Sequence, residues 1–202
     1  MKFFYKIISI IFHPLLMSTY AMTWLMYCTE YQENTSSQYK FFAIVGTLIF
    51  TGILPLIPIV ILLLRGEITN INLSIRQERT VPYLFAFLAY CLWAYFLWRN
   101  MHMPLFIVCV AVASAVSTII IMIINFKWKI SAHLCCAGGV FAFILGISYR
   151  FAVDSITILI IIPVIIFLLA ISRIELKEHS YSQVLAGLIL GFIITIIPII
   201  FL

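Results

Sequence analysis

Charge is what this sequence has least of. Only 9% of its 202 residues are Asp, Glu, Lys or Arg, against roughly 25% in a soluble domain, while 65% are hydrophobic and the mean hydropathy is +1.20. A single soluble core of this size has no way to hide so much apolar surface, which excludes a soluble globular enzyme. Long apolar runs without alternation exclude a membrane β-barrel. Helices then remain as the structure that satisfies the backbone in lipid. The five cysteines (Cys28, Cys91, Cys109, Cys135 and Cys136) contain no Cys-x-x-Cys pair and read as small hydrophobes in helices. Acids and histidines are few and lack metal-ligand spacing, so neither a metal centre nor another cofactor is expected, and no nucleic-acid partner is. A linker, a low-complexity tract and a convincing internal repeat are all lacking. The N-terminal apolar stretch runs on to about Cys28 with no small-x-small cleavage site, and reads as a retained span.

What is present is a series of apolar runs, each near the roughly 20 residues that a helix needs to cross a bilayer. They are Ile7 to Cys28, Phe41 to Leu64, Val81 to Trp98, Met103 to Asn125, Ile130 to Tyr149, Ser155 to Ile171, and Gln183 to Leu202. The expected fold is all-α, a polytopic bundle of six to seven transmembrane helices forming one integral-membrane domain over residues 1–202. With seven spans the hydrophilic pieces fall on two sides. Side one holds the N-terminus, Arg65 to Thr80, Phe126 to Lys129, and Ser172 to Ser182. Side two holds Thr29 to Lys40, Arg99 to His102, Arg150 to Asp154, and the C-terminus. Pro55, Pro58, Pro163 and Pro198 are expected to kink their spans, and His13-Pro14 to do the same within the first, with a paired imidazole. His102 reads as solvated.

Three polar clusters fall on side one. Polar groups at a membrane edge tend to carry function. The sharpest cluster is Ser172-Arg173, five residues, then His179, followed by Gln183. The second is Lys127-Trp128-Lys129-Ile130-Ser131-Ala132-His133, with small residues at 137 to 139 that allow another helix to approach closely. The third is Ser74 to Pro82, containing Arg76 and Arg79, which share a face if helical. Taken in chain order, the clusters resemble the first, second and third motifs of the type 2 phosphatidic acid phosphatase superfamily, which contains membrane lipid phosphatases and vanadium haloperoxidases. The resemblance covers about residues 74–187, and it marks a divergent branch. Gln183 stands where the family has Asp, Ile130 and Ala132 replace the Pro and Gly of Pro-Ser-Gly-His, and Asn72 occupies the place of the first motif's Lys.

The resemblance implies metal-free phosphoryl transfer on a lipid phosphate or isoprenoid diphosphate, in a multi-pass protein of a bacterial plasma membrane. It makes His179 the nucleophile that forms a phosphohistidine and His133 the general acid. Gln183 takes the position that orients the nucleophile. Arg79 and Arg173, with Arg76, Lys129 and Ser131 beside them, would bind the phosphate. Arginine forks and a span's free N–H groups suit such an anion.

Each residue also has a plainer reading. Ser180-x-x-Gln183 is a capping box, Ser131 an N-cap, and His133 an interhelical hydrogen-bonding histidine. The bases are ordinary headgroup neighbours. The rival functions are a catalytically silent relative that binds an anionic headgroup, and a small transporter. Orientation stays open. Side two has only Lys40, Arg99 and Arg150 among its bases, so the charge bias puts side one in the cytoplasm, whereas the family resemblance puts the site on the outer face.

Overall fold

The structure is a computed structural model that describes residues 2–71 and 73–201. Asn72, the counterpart of the family's lysine, lies outside the described residues. The helices are α1 (Lys2–Ile11), α2 (Pro14–Cys28), the short α3 (Tyr31–Asn34), α4 (Ser37–Thr47), α5 (Leu54–Leu64), α6 (Thr80–Arg99), α7 (Leu105–Asn125), α8 (Ala132–Phe151), α9 (Ile156–Glu175) and α10 (Tyr181–Phe201). A π-helical turn, Leu48–Ile53, joins α4 to α5, and a 3-10 turn, Arg76–Arg79, leads into α6. Among the described residues there is no strand. Among the described residues, six helical stretches are long and apolar enough to cross a membrane: Ser37–Leu64, Arg76–Arg99, α7, α8, α9 and α10. The chain is an all-α, multi-pass integral membrane protein.

The first span bends at His13-Pro14, where a kink was expected, but the bend parts it into two helices. These, α1 and α2, are bent by 54° at the break between them, and they make a seventh crossing only if the pair is counted as one. The cause is local. Pro14 opens α2, where its missing N–H costs nothing, but it forces the residue before it out of the helical region. His13 is accordingly extended, with φ −69° and ψ 140°. Its N–H bonds back to the Ile10 carbonyl at 3.2 Å, so the Ser9 carbonyl loses its usual helical donor.

Elsewhere the spans begin and end within about four residues of the apolar runs. Small residues draw α8 and α10 together. A Cβ at Gly187 would strike the Ser131 carbonyl, one at Gly191 the Cys135 carbonyl, and one at Gly138 the Leu188 carbonyl. This is the close approach that the small residues at 137 to 139 suggested. Another packing centre is a three-ring cluster, with Trp93 5.2 Å from Phe50 and 5.7 Å from Phe96, and those two rings 5.9 Å apart. Large apolar side chains such as Leu92, Phe167 and Ile193 remain on the outside, as lipid-facing surface requires.

The polar segments sort to opposite ends of the bundle. At one end Asn125 Nδ2 donates to the Arg76 carbonyl at 2.8 Å, and Ser74 Oγ donates to Glu178 at 3.1 Å. At the other, Tyr39 donates to the Met101 carbonyl at 3.1 Å, and Arg150 to the Ile199 carbonyl at 2.7 Å. The three clusters of side one therefore meet at one end.

Candidate functional site

The Ser172–Gln183 cluster is built by the way α9 stops. Lys177 takes a left-handed conformation with φ 58°. The Lys177 N–H bonds the Ile174 carbonyl at 2.9 Å and the Glu178 N–H bonds the Arg173 carbonyl at 3.1 Å. This is the Schellman pattern of helix termination. The next N–H, that of His179, also reaches the Arg173 carbonyl, at 3.2 Å. The five-residue spacing between Arg173 and His179 is thus the length of one helix stop. It returns the histidine to the arginine's own backbone.

His179 is buried, 7% exposed. Its Nδ1 lies 3.3 Å from the Lys129 carbonyl and 3.3 Å from Gln183 Oε1. The Ser180 N–H donates to that same Oε1 at 3.1 Å, which fixes the amide's oxygen there. Both neighbours of Nδ1 are acceptors, so Nδ1 carries the hydrogen and Nε2 keeps its lone pair. Gln183 therefore does two jobs. It supplies the side-chain half of the capping box and it orients the imidazole. Burial, and then the charges of Arg79, Arg173 and Lys129, push the His179 pKa down to about 3.

That shift has a defined sign. The ring stays neutral in the fold while an unfolded histidine would protonate near 6.5. Its contribution to stability is full above pH 6.5 and is lost as pH falls towards 3, because the unfolded chain then binds the extra proton. The NMR signals of the His179 ring are expected to stay those of the neutral Nδ1–H tautomer at pH 5.5. A titration midpoint between 6 and 7 would refute the burial and charge argument.

Arg79 is buried, 4% exposed, at the junction of the 3-10 turn and α6. Its Nε donates to the Leu73 carbonyl at 2.7 Å, and Tyr83, one turn on, shares the same cavity wall. Arg173 is buried on α9, and its Nε has no hydrogen-bond partner. A buried, unmatched guanidinium N–H is costly unless an anion completes it. Glu178 sits beside these bases. Its carboxylate accepts from Lys129 Nζ at 3.2 Å and lies 3.9 Å from Arg173 Nη2. Burial alone would raise the Glu178 pKa, but Lys129, Arg173 and the Ser74 hydroxyl hold it below the usual carboxylate range.

Arg79, Arg173, His133 and His179 line one cavity of about 120 Å³, together with His13 and Tyr83. These residues come from the 3-10 turn before α6, from α6, α8 and α9, from the α9–α10 turn and from the α1–α2 break. His133, in the first turn of α8, has its Nε2 3.3 Å from the Ser9 carbonyl that the helix break left without a donor. A carbonyl can only accept, so Nε2 carries the hydrogen and Nδ1 is free. The interhelical reading of His133 and its place in the cavity hold together.

Lys129 and Gln183 stand behind His179, and neither is on the wall of the cavity. Ser131 and Arg76 are off the wall as well. Ser131 is fully buried as the N-cap of α8, accepting from the Leu134 N–H at 3.5 Å. Arg76 is half-buried one turn before Arg79, and its carbonyl accepts from Asn125. Three residues at the site escaped the sequence reading: His13, Tyr83 and Glu178. Tyr83 had a signal, four residues after Arg79 and so on its helical face. Among the described residues, no three His, Cys, Asp or Glu side chains are grouped to share a metal ion.

Residues 125–201 match the family model of the PAP2 superfamily. The match spans fewer than half the residues of the chain. It takes in the clusters around Lys127–His133 and Ser172–Gln183, with His133, Arg173 and His179, and leaves Arg79 and His13 outside. Over those residues the chain is similar to that superfamily, and they lie within a bundle of membrane-spanning helices. No curated protein and no solved structure gives a significant match.

Proposed function

We propose that the protein hydrolyses a lipid phosphate or an isoprenoid diphosphate through a phosphohistidine, in a bacterial plasma membrane. The observation that carries this reading is the His179 ring. Two acceptors hold its Nδ1–H, so the Nε2 lone pair is available beside two buried arginines. Nε2 attacks phosphorus and the bond to the ester oxygen breaks. The ester binds as its monoanion and passes its phosphoryl proton to His133 Nδ1, which hands it to the departing oxygen, while His133 Nε2–H stays on the Ser9 carbonyl. Water then attacks the phosphohistidine, gives its proton to His133, and releases phosphate. Arg79 and Arg173 hold the nonbridging oxygens, whose charge must be stabilised throughout. Lys129 adds positive charge and the carbonyl that orients His179. The proposed working region is residues 74–187, with the N-terminal break beside it.

The lipid nature of the substrate is supported by the cavity's surroundings. A second cavity of about 120 Å³ shares Tyr90, Thr118, Ile121 and Cys136 with the first. Met17, Met22, Leu97 and Phe143 are among its apolar walls, within the spans. The first carbons of an acyl or prenyl chain fit such walls, with the phosphate at the polar end. A second reading is supported by Gln183 and Glu178. The residue behind the nucleophile has no charge, and a carboxylate already neutralises Lys129. A silent relative that binds an anionic headgroup fits those two facts.

The test is phosphate release from phosphatidic acid or farnesyl diphosphate by purified protein in detergent with excess chelator. Release that persists with chelator is expected. Saturable lipid binding without release establishes the silent relative instead. Activity that vanishes with chelator and returns with a divalent ion rejects the mechanism.

A further inference from the structure

His13 lies outside the family match, yet its ring is in the wall of the same cavity as Arg79, Arg173, His133 and His179. The chain break that puts it there is the one that frees the Ser9 carbonyl for His133. The two imidazoles meet edge to face, with ring centroids 5.3 Å apart and planes at 83°. A histidine placed only to end one helix and start another has no need of this position.

The hydrogen bonds also settle which ring atom does what. His13 Nδ1 accepts from the Leu15 N–H at 3.3 Å, as the N-cap of α2. Nδ1 is therefore unprotonated, and the hydrogen of the neutral ring is on Nε2. Protonating Nδ1 would set two N–H groups against each other, so the cap itself opposes the imidazolium form. His133 is held the opposite way round, with Nε2–H spent on Ser9 and Nδ1 open. The three rings then divide the work. His179 offers a lone pair, His133 a site that gains and loses a proton, and His13 a fixed neutral N–H.

We infer that His13 is a third catalytic histidine, whose Nε2–H donates a hydrogen bond to a phosphoryl oxygen of the bound ester. This rests on the phosphatase reading of the site and adds to it a residue that neither the motifs nor the family match contains. The donor works without titrating, so it binds the charged phosphoryl group and does not compete with His133 for the proton. Charge develops on those oxygens during transfer, and a preorganised donor there acts on the transition state.

The test separates this role from capping. Asn and Ser are good N-cap residues, so His13→Asn and His13→Ser retain a cap for the Leu15 N–H and lose the imidazole. Orthovanadate is the probe, followed by its ⁵¹V NMR signal on full-length protein in detergent, alongside thermal unfolding. Both variants are expected to unfold close to wild type and to bind vanadate about tenfold or more weakly, the range for one hydrogen bond to a charged group. Wild-type affinity in folded His13→Asn overturns the inference alone, provided that His179→Ala has lost binding. Absence of vanadate binding by the wild type overturns both this inference and the phosphatase reading. Failure of both His13 variants to fold shows that the ring's work is structural and overturns the inference.

Discussion

His179→Ala is expected to remove phosphate release altogether, with a loss of at least about four orders of magnitude, the scale seen when an enzyme loses its nucleophile. Vanadate binding should fall with it. Vanadate takes the five-coordinate shape of a phosphoryl group in mid-transfer, with a histidine nitrogen at one apex, and a site for phosphohistidine chemistry favours that shape over phosphate. Alanine deletes the apical ligand and leaves Arg79 and Arg173 in the wall to attract anions in general. The affinity for inorganic phosphate should therefore change far less than that for vanadate. The structural cost is small by comparison. The Lys129 carbonyl and Gln183 lose one partner, which is about 1 kcal/mol for an ordinary hydrogen bond, and thermal unfolding measures it. Equal losses of vanadate and phosphate affinity in a folded variant would leave a basic headgroup site and no nucleophile.

The parts of this arrangement that sequence could reveal are those fixed by short-range chemistry. The spans were legible because lipid demands long apolar stretches, and nothing else in the chain competes with that signal. The pair Arg173 and His179 was legible for a similar reason, since the Schellman stop that joins them lies entirely within residues 172–179. Arg79 led in sequence, but Arg76 and Ser131 stood beside it as phosphate ligands, because helical spacing gives a shared face and not the direction of a cavity. The structure separates them. Arg79 turns inward onto the Leu73 carbonyl, Arg76 contributes its backbone to Asn125, and Ser131 is occupied as a cap. His13-Pro14 marked the place of the α1–α2 bend but not its sharpness, since a proline is tolerated within a span or between helices alike. His13 was read as a paired residue at a kink. Its ring contact spans 120 positions of sequence, from His13 to His133, and no local pattern encodes a meeting of that range.

Gln183→Glu should raise turnover by about ten- to a hundredfold, as a charge-assisted hydrogen bond of about 1.5–3 kcal/mol replaces a neutral one. The geometry favours Glu over the family's Asp at this position. Gln183 Oε1 already lies 3.3 Å from His179 Nδ1 and 3.1 Å from the Ser180 N–H. Glu has the same length, so a carboxylate oxygen takes that place without moving the chain, and Ser-x-x-Glu remains a capping box. Asp is one methylene shorter and has to choose between the two donors. The physical effect is on charge. As Nε2 bonds to phosphorus the ring becomes positive among Arg79, Arg173 and Lys129, the same charges that help depress its pKa to about 3. A carboxylate behind Nδ1 offsets them, so the His179 pKa should rise towards the ordinary histidine value as turnover increases. If the wild type is a silent relative, Gln183→Glu is the single change expected to give it measurable phosphate release. A rise in pKa without a gain in turnover would mean that proton supply to the ester oxygen limits the reaction, and not the nucleophile. No change in either would reduce Gln183 to its contact with Ser180.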